Sequence, residues 1–352
     1  MRAWKVEKHG GPEVLKLVDL PKPKPGPKEA LVKVENVGLN HLDVWVMKGV
    51  PGHKFPLPLT NGCDVAGKIE ELGEGAAEVL EKNGMRVGSP VIVSPGFSCG
   101  ICEACLLGLD QNCLSYGLLG ETRDGGCTEF ISVPVINLIP RPSTISTAEA
   151  ACLPINFLTA WSMVVRKGAV RPGEVVLVHA GGSGVSVAAI QMAKMFGCTV
   201  ITTVGNPEKI QKARQLGADF VIDYKKTPFR EELKSILKTI GKKGCDMVVD
   251  HIGVDTFRDS IKCLVPGGRV VTCGTTSGGE VTIDLKQVFF KNLSILGTTM
   301  GSKGDLIRIV DLVARGKLKP IIDKTYPMTD LPQALEYLDS RRNFGKTVLT
   351  GF

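Results

Sequence analysis

Four cysteines fall within fifteen residues, spaced Cys99-x2-Cys102-x2-Cys105-x7-Cys113. Thiolates at such short intervals can close a tetrahedral shell around zinc, and four sulfurs leave no position open for a substrate. The spacing therefore predicts a closed, structural zinc site. An iron–sulfur cluster or unbound thiols in a surface loop are the alternatives. Gly96, Gly100 and Gly108 suit the tight turns of such a lobe. A second stretch reads Ala180-Gly181-Gly182-Ser183-Gly184-Val185-Ser186. It follows the apolar run Val175, Val176, Leu177, Val178 and precedes Val187, Ala188, Ile190, Met192 and Ala193, which keep helical spacing up to Gly197. Strand, glycine turn and helix in that order make the first unit of a dinucleotide-binding fold. Without a Cβ in the way, a pyrophosphate can settle on the unpaired N–H groups of the helix. A tight turn that holds no ligand is the alternative.

These residues need elements to hold them. A chain of 352 residues is too long for one ordinary core, so two domains are expected. With 43% hydrophobic and 22% charged residues the composition is that of a globular protein, and no apolar run of about 18 residues offers a membrane span. The net charge of +7 is scattered; pairs such as Lys22/Lys24 and Lys242/Lys243 read as solvated surface, so no nucleic-acid partner is expected. Met1-Arg2-Ala3-Trp4-Lys5 opens into strand-like sequence without the apolar core of a signal peptide, which predicts a cytoplasmic protein. Eleven cysteines in that compartment, four of them clustered, argue for metal rather than disulfides.

Residues 1–152 read as β-rich: alternating segments at Leu31–Val37, Gly67–Leu72, Pro90–Val93 and Thr128–Val133 are separated by Gly and Pro clusters, as in a compact barrel. Residues 153–296 alternate strand and helix. The strand candidates are Val175–His179, Thr199–Val204, Phe220–Asp223, Met247–His251, Arg269–Cys273 and Ser294–Leu296, with helices such as Glu208–Leu216 and Glu231–Ile240 between them. Six strands with helical crossovers predict an α/β domain with a doubly wound parallel sheet. Residues 297–352 are too few for a domain and are expected to complete the first one.

The cysteine lobe (95–115), the β-rich first domain, the later glycine turn and Gly345-Lys346 resemble the medium-chain dehydrogenase/reductase superfamily over essentially the whole chain, and within it the zinc-containing alcohol dehydrogenases and the quinone oxidoreductases. The resemblance implies a GroES-like catalytic domain, a Rossmann domain and an active site in the cleft between them. It also exposes departures. Where the alcohol dehydrogenases carry a cysteine ligand of a catalytic zinc in Gly-x-Cys-x-Ser/Thr-Asp, this chain reads Gly38-Leu39-Asn40-His41-Leu42-Asp43, so Asn40 stands in place of the ligand and Leu42 in place of the relay hydroxyl, which is absent. The Gly-His-Glu stretch reads Gly62-Cys63-Asp64, and the last ligand position falls near Ile155 and Asn156, ahead of Thr159. Only Cys63 and Asp64 remain as donors, and an open catalytic zinc needs three. Asn40, Asp43 and the Gly-x-Asp of Gly62–Asp64 resemble the zinc-free quinone oxidoreductases instead. His41 is implied to lie near the cofactor phosphates, with a solvated loop histidine as the alternative.

The expected catalytic set is thus Asn40, Asp43, Cys63, Asp64 and Thr159, with the Asn40 amide, the Thr159 hydroxyl and water as donors to a developing oxyanion. The expected cofactor contacts are Gly181, Gly182, Ser183, Gly184, Val185, Ser186, Val204, Asn206, Lys209, Tyr224, Cys273 and Lys346. NAD-binding folds place a carboxylate about 20 residues beyond the glycine turn to accept the ribose hydroxyls. Val204-Gly205-Asn206 offers none, and Lys209 and Tyr224 match phosphate-contacting positions of NADPH-dependent quinone oxidoreductases. NADP(H) is therefore expected, with NAD(H) as the alternative.

The expected activity is hydride transfer between a nicotinamide and a small carbonyl, enone or quinone, with one structural zinc at Cys99, Cys102, Cys105 and Cys113. Two other readings stay open: an NAD-dependent alcohol dehydrogenase with an atypical zinc at Cys63 and Asp64, and a non-catalytic nucleotide-binding or scaffold protein. The apolar strand Leu293–Leu296 ends the sheet's sequence order; an edge of that kind needs a partner, so a homodimer or homotetramer is expected.

Overall fold

A computed structural model describes residues Met1–Phe352. The chain divides into two compact units, residues 1–155 with 302–352, and residues 156–301.

The first unit is built on a seven-stranded sheet in the order Ile322–Pro327, Lys346–Thr350, Glu29–Leu39, Asp64–Leu72, Pro90–Val93 and Leu138–Pro140, with Phe130–Pro134 also paired to Glu29–Leu39. Its core is aliphatic, from Val32, Val34 and Val37 on the long strand to Leu331, Leu335 and Leu338 on the helix Leu331–Asp339. Register brings distant residues together in this sheet. Thr347 pairs with Leu39 and Val348 with Gly38 on one side, while Gly38 pairs with Asp64 on the other. The start of the last strand and the start of Asp64–Leu72 therefore flank one point of the central strand. Gly38 permits this approach, because a Cβ there would collide with the Ala151 carbonyl and the Lys346 stem.

The second unit is a six-stranded, wholly parallel sheet in the order Phe220–Asp223, Thr199–Val204, Val175–Val178, Cys245–Val249, Leu264–Thr272 and Ser294–Gly297. The central strands are buried on both faces, which is why Val175–Val178 is continuously apolar. The order reverses between Val175–Val178 and Cys245–Val249, and ligands of such sheets bind beyond the strand ends at that switch point. The fourth strand ends at Val249, leaving Asp250 and His251 past its end rather than inside it as the alternation predicts; the Asp250 N–H still donates to the Val271 carbonyl (3.0 Å), and both side chains make polar contacts. The sixth strand is a sheet edge with Ile295 exposed, near the exposed Phe289 and Phe290. No helix of the protein is long and apolar enough to cross a membrane.

Candidate active site

The strand pairing just described creates a buried ion pair in the first unit. Lys346 Nζ donates to Asp64 Oδ2 and to Asn40 Oδ1, both at 2.6 Å. Asn40 Nδ2 donates to Asp64 Oδ2 (3.1 Å) and to the Gly38 carbonyl (3.2 Å), and the Ile155 N–H donates to Asp64 Oδ1 (2.8 Å). Three donors on one carboxylate match an ionised Asp64. Burial nonetheless raises its pKa, against the pull of Lys346. Lys346 is thus a partner of Asn40 and Asp64 inside the first unit, where the resemblance implies a cofactor contact; strand register, invisible in a local motif, sets this. The same geometry commits both amide hydrogens of Asn40, so it has none spare for a substrate oxygen.

Asp43 lies beneath. Asn40 caps the helix His41–Lys48, and Asp43 accepts from the Asn40 N–H (2.7 Å) and the Gly62 N–H (2.8 Å). Burial pushes its carboxyl up to about 6 against those two bonds and Lys346. Cys63 is wholly buried; burial, then the Asp43 and Asp64 charges, drive its thiol well above its ordinary range. The Asp64 carboxylate, the other donor left by the departures in sequence, is already engaged by an ammonium and two N–H groups. Glu121 was not among the expected residues; it adds to the charge facing Cys63 and lies 3.6 Å from His53.

The cysteine lobe is different. The Sγ atoms of Cys99, Cys102, Cys105 and Cys113 all lie within 4.8 Å of one another, with separations of 3.5, 3.6 and 3.9 Å among them. Four sulfurs about 2.3 Å from one zinc stand roughly 3.8 Å apart, so the set fits the ion. The N–H groups of Cys102 and Cys99 donate to Cys99 and Cys113 sulfur, each at 3.4 Å, as suits thiolates.

In the second unit the glycine turn follows its strand as expected. Ala180 adopts φ +52°, and a Cβ at Gly181 or Gly184 would collide with the Thr202 or Asn156 side chain. Ser183 caps the helix Gly184–Met195 by accepting from the Ser186 N–H (3.1 Å). The N–H groups of Gly184 and Val185 have no acceptor within the protein, and a dinucleotide pyrophosphate fits these free donors at the helix end. Gly182 is buried within the turn. Beneath lies a network that motif spacing cannot reveal. His251 Nε2 stands 2.9 Å from Ser186 Oγ and 3.2 Å from Ser183 Oγ. His179 bridges Thr203 (3.2 Å) and Ser260 (3.0 Å), and Ser260 donates to Asp250 (2.7 Å).

The other expected contacts spread around this turn. Val204 ends the second strand opposite Asp223, the Tyr224 N–H donates to its carbonyl (3.1 Å), and the Tyr224 ring stands against Gly205. Asp223 is a carboxylate on the neighbouring strand that the count along the chain passes over, but its Oδ2 is buried and unpaired. Asn206 Oδ1 accepts from the Glu208 N–H (2.9 Å) at the start of the helix Glu208–Gln215, which carries Lys209. Thr159 is buried, with only Met300 sulfur near its hydroxyl at 3.9 Å. Cys273 follows the fifth strand; burial, reinforced by Asp250, pushes its thiol up to about 12.

Burial pushes the His251 imidazole down from 6.5 to about 4, against the pull of Asp250 and with help from His179. Between those values the unfolded chain binds the proton better. His251's contribution to stability is therefore complete above about 6.5 and drains as pH falls toward 4. At about 1.4 kcal/mol per unit the loss is bounded at roughly 3 kcal/mol. His251→Gln is expected to flatten the fall in melting temperature between pH 6.5 and 4.5; unchanged slopes in a folded variant would exclude this origin.

A four-cysteine lobe on a β-rich unit and a glycine turn at the switch point of a doubly wound unit are the features of a nicotinamide-dependent oxidoreductase. Residues 26–143 match the alcohol dehydrogenase GroES-like domain family and residues 184–315 the zinc-binding dehydrogenase family. The chain is 31% identical to an NAD-dependent alcohol dehydrogenase of Saccharolobus solfataricus, with 99% of each covered. It is 30% identical to a quinone oxidoreductase of Rattus norvegicus, covering 99% of this chain and 97% of that one. A crystal structure of an NAD-dependent alcohol dehydrogenase superposes with a TM-score of 0.93 at 46% identity, 99% of each chain covered. The chain belongs to the medium-chain dehydrogenase/reductase superfamily and is an NAD(P)-dependent oxidoreductase.

Proposed function

We propose that this chain reduces conjugated carbonyls, enones or quinones, with NADPH preferred, one structural zinc in the cysteine lobe and no catalytic zinc. The carrying observation is the closed set of Lys346, Asn40 and Asp64, which occupies two of the positions where the alcohol dehydrogenases hold their metal. Bound cofactor supplies the hydride. The residues at Gly181–Ser186 seat its pyrophosphate, and the uncapped N–H groups of Gly184 and Val185 balance the charge. Thr159, whose hydroxyl meets only a thioether sulfur, is the group we assign as hydrogen-bond donor to the developing oxyanion. One preorganised donor contributes about 2.7–4 kcal/mol in the transition state. That suffices for a delocalised enolate or semiquinone-like anion better than for a simple alkoxide, which alcohol oxidation must generate without a Lewis acid.

The test is a steady-state screen of NADPH and NADH against enones, ortho-quinones, aldehydes and simple alcohols. Conjugated substrates are expected to outpace ethanol or benzyl alcohol by at least about a hundredfold, or ~2.7 kcal/mol. Rapid oxidation of a simple alcohol, abolished by chelator and restored by zinc, would overturn the reading in favour of a metal at Cys63 and Asp64. NADPH is expected to bind about tenfold tighter than NADH, or ~1.4 kcal/mol. Lys209 and Tyr224 are the residues we assign to the 2′-phosphate, and Val204→Asp should reverse the order by adding a ribose acceptor and a repulsive charge. We assign the exposed Ile295 edge to a second copy of the chain; a sedimentation mass of one 37.7 kDa chain at micromolar concentration would refute it.

A further inference from the structure

We infer that His251 is a positioning residue for the cofactor: it ties the serine-containing glycine turn to the end of the fourth strand across the switch point of the sheet. The inference rests on the pyrophosphate seat proposed above. Two features of this chain meet there. The turn carries Ser183 and Ser186 where the dinucleotide fingerprint would have glycines, which adds two hydroxyls to a crowded, buried corner. His251 follows the strand on the far side of the switch point, and its Nε2 reaches both hydroxyls, at 3.2 and 2.9 Å.

The proton arrangement is constrained. Ser186 Oγ–H donates to the His179 carbonyl at 2.6 Å, and Ser183 Oγ–H donates to Ser186 Oγ at 2.9 Å. With both hydroxyl protons committed, the imidazole is the remaining donor, so Nε2 carries the hydrogen and Ser186 Oγ accepts twice. The ring is buried, 8% exposed, so it is not placed to touch a ligand itself. Its effect passes through the serines. Ser183 Oγ caps the Ser186 N–H, and that cap fixes the first helical turn, leaving the Gly184 and Val185 N–H groups as the free donors. A buried donor lost here leaves hydroxyl oxygens unsatisfied, and the turn would relax to find other partners. Affinity for an anion held by backbone N–H groups is sensitive to that alignment.

The experiment is direct binding of NADPH and NADH without substrate, by calorimetry or nicotinamide fluorescence, to the full chain and its variants. His251→Phe, which keeps the ring and removes the polar edge, is expected to raise both dissociation constants about tenfold, and His251→Gln, which restores a donor near Nε2, to recover most of the loss. In turnover assays the increase in cofactor KM should exceed any fall in kcat at least fivefold. Ser186→Ala trims one hydroxyl and adds no volume. It should weaken binding about three- to tenfold, and it remains decisive if the His251→Phe chain does not fold. Affinities within twofold of the parent in either folded variant would overturn the inference, as would equal losses in His251→Phe and His251→Gln. Failure of the parent chain to bind either nucleotide would instead overturn the pyrophosphate seat.

Discussion

Replacing Lys346 by methionine is expected to destabilise the first unit by about 3–5 kcal/mol, because it strands a charge rather than removing an attraction. Asp64 is fully buried and its carboxylate gathers three donors, of which the ammonium at 2.6 Å is the only cation. Without it the carboxyl must ionise in a low-dielectric site beside Asp43 or take up a proton. Asp43 is already pushed up to about 6 by burial, so the pair would hold one proton or more near neutrality. For a unit of this size the loss corresponds to roughly 10 °C in melting temperature. The companion variant Asp64→Asn/Lys346→Met removes both charges and should recover at least half of it. A single Lys346→Met variant that melts within 2 °C of the parent would mean that solvent reaches the carboxylate. The same pair of variants bears on the chemistry: if Lys346 served the cofactor directly, its loss would raise the dissociation constant for NADPH before it lowered stability.

Elemental analysis is expected to find one zinc per chain, and its removal to unfold the lobe. The lobe has little else to hold it. Ile101, Leu106, Leu107 and Leu114 are all exposed, and among its large apolar side chains Phe97 at the base joins the core. Beyond Phe97 its ties to the rest of the unit include polar ones: the Lys303 N–H donates to Asp110 (3.1 Å), and Asn137 Nδ2 donates to the Ser94 and Gly96 carbonyls (2.8 and 2.7 Å) at its base. A segment with so little buried area depends on its metal, and closed zinc sites of this kind contribute folding free energy outright, about 10–16 kcal/mol in isolated zinc-finger peptides. Cys99→Ser should therefore lose most of its zinc and lower the melting temperature by more than the Lys346 variant. The fraction still folded should retain reduction of conjugated substrates. Close to two zincs per chain would contradict the metal-free reading of Cys63 and Asp64.

How much of this was legible in the sequence follows from chain distance. The lobe's ligands are spread over fifteen residues, so their spacing nearly fixes their geometry, and the sulfurs converge as the spacing requires. The strand Val175–Val178 and the helix Gly184–Met195 are likewise local: a β-branched run, a turn that admits only small residues and a 3.6-residue repeat specify them in sequence order. Most strand bounds follow from alternation, though the fourth strand ends two residues before the pattern suggests, ahead of Asp250 and His251, whose side chains join the polar network.

Tertiary structure decided the rest. Lys346 lies 306 residues from Asn40 and 282 from Asp64, and only the register of three strands brings the ammonium onto them. No local pattern encodes that register, since a shift of one residue leaves every motif unchanged and turns each side chain to the other face. His251 and Ser186 are 65 residues apart and meet because two parallel strands, adjacent in the sheet but not in sequence, end at the same level. By itself the sequence determined that four cysteines converge and that strand, glycine turn and helix follow one another, because those sets are held by short-range covalent geometry. Which buried charges neutralise one another, and which donors remain free for a ligand, depended on long-range packing, where the cost of an unpaired polar group selects the partner.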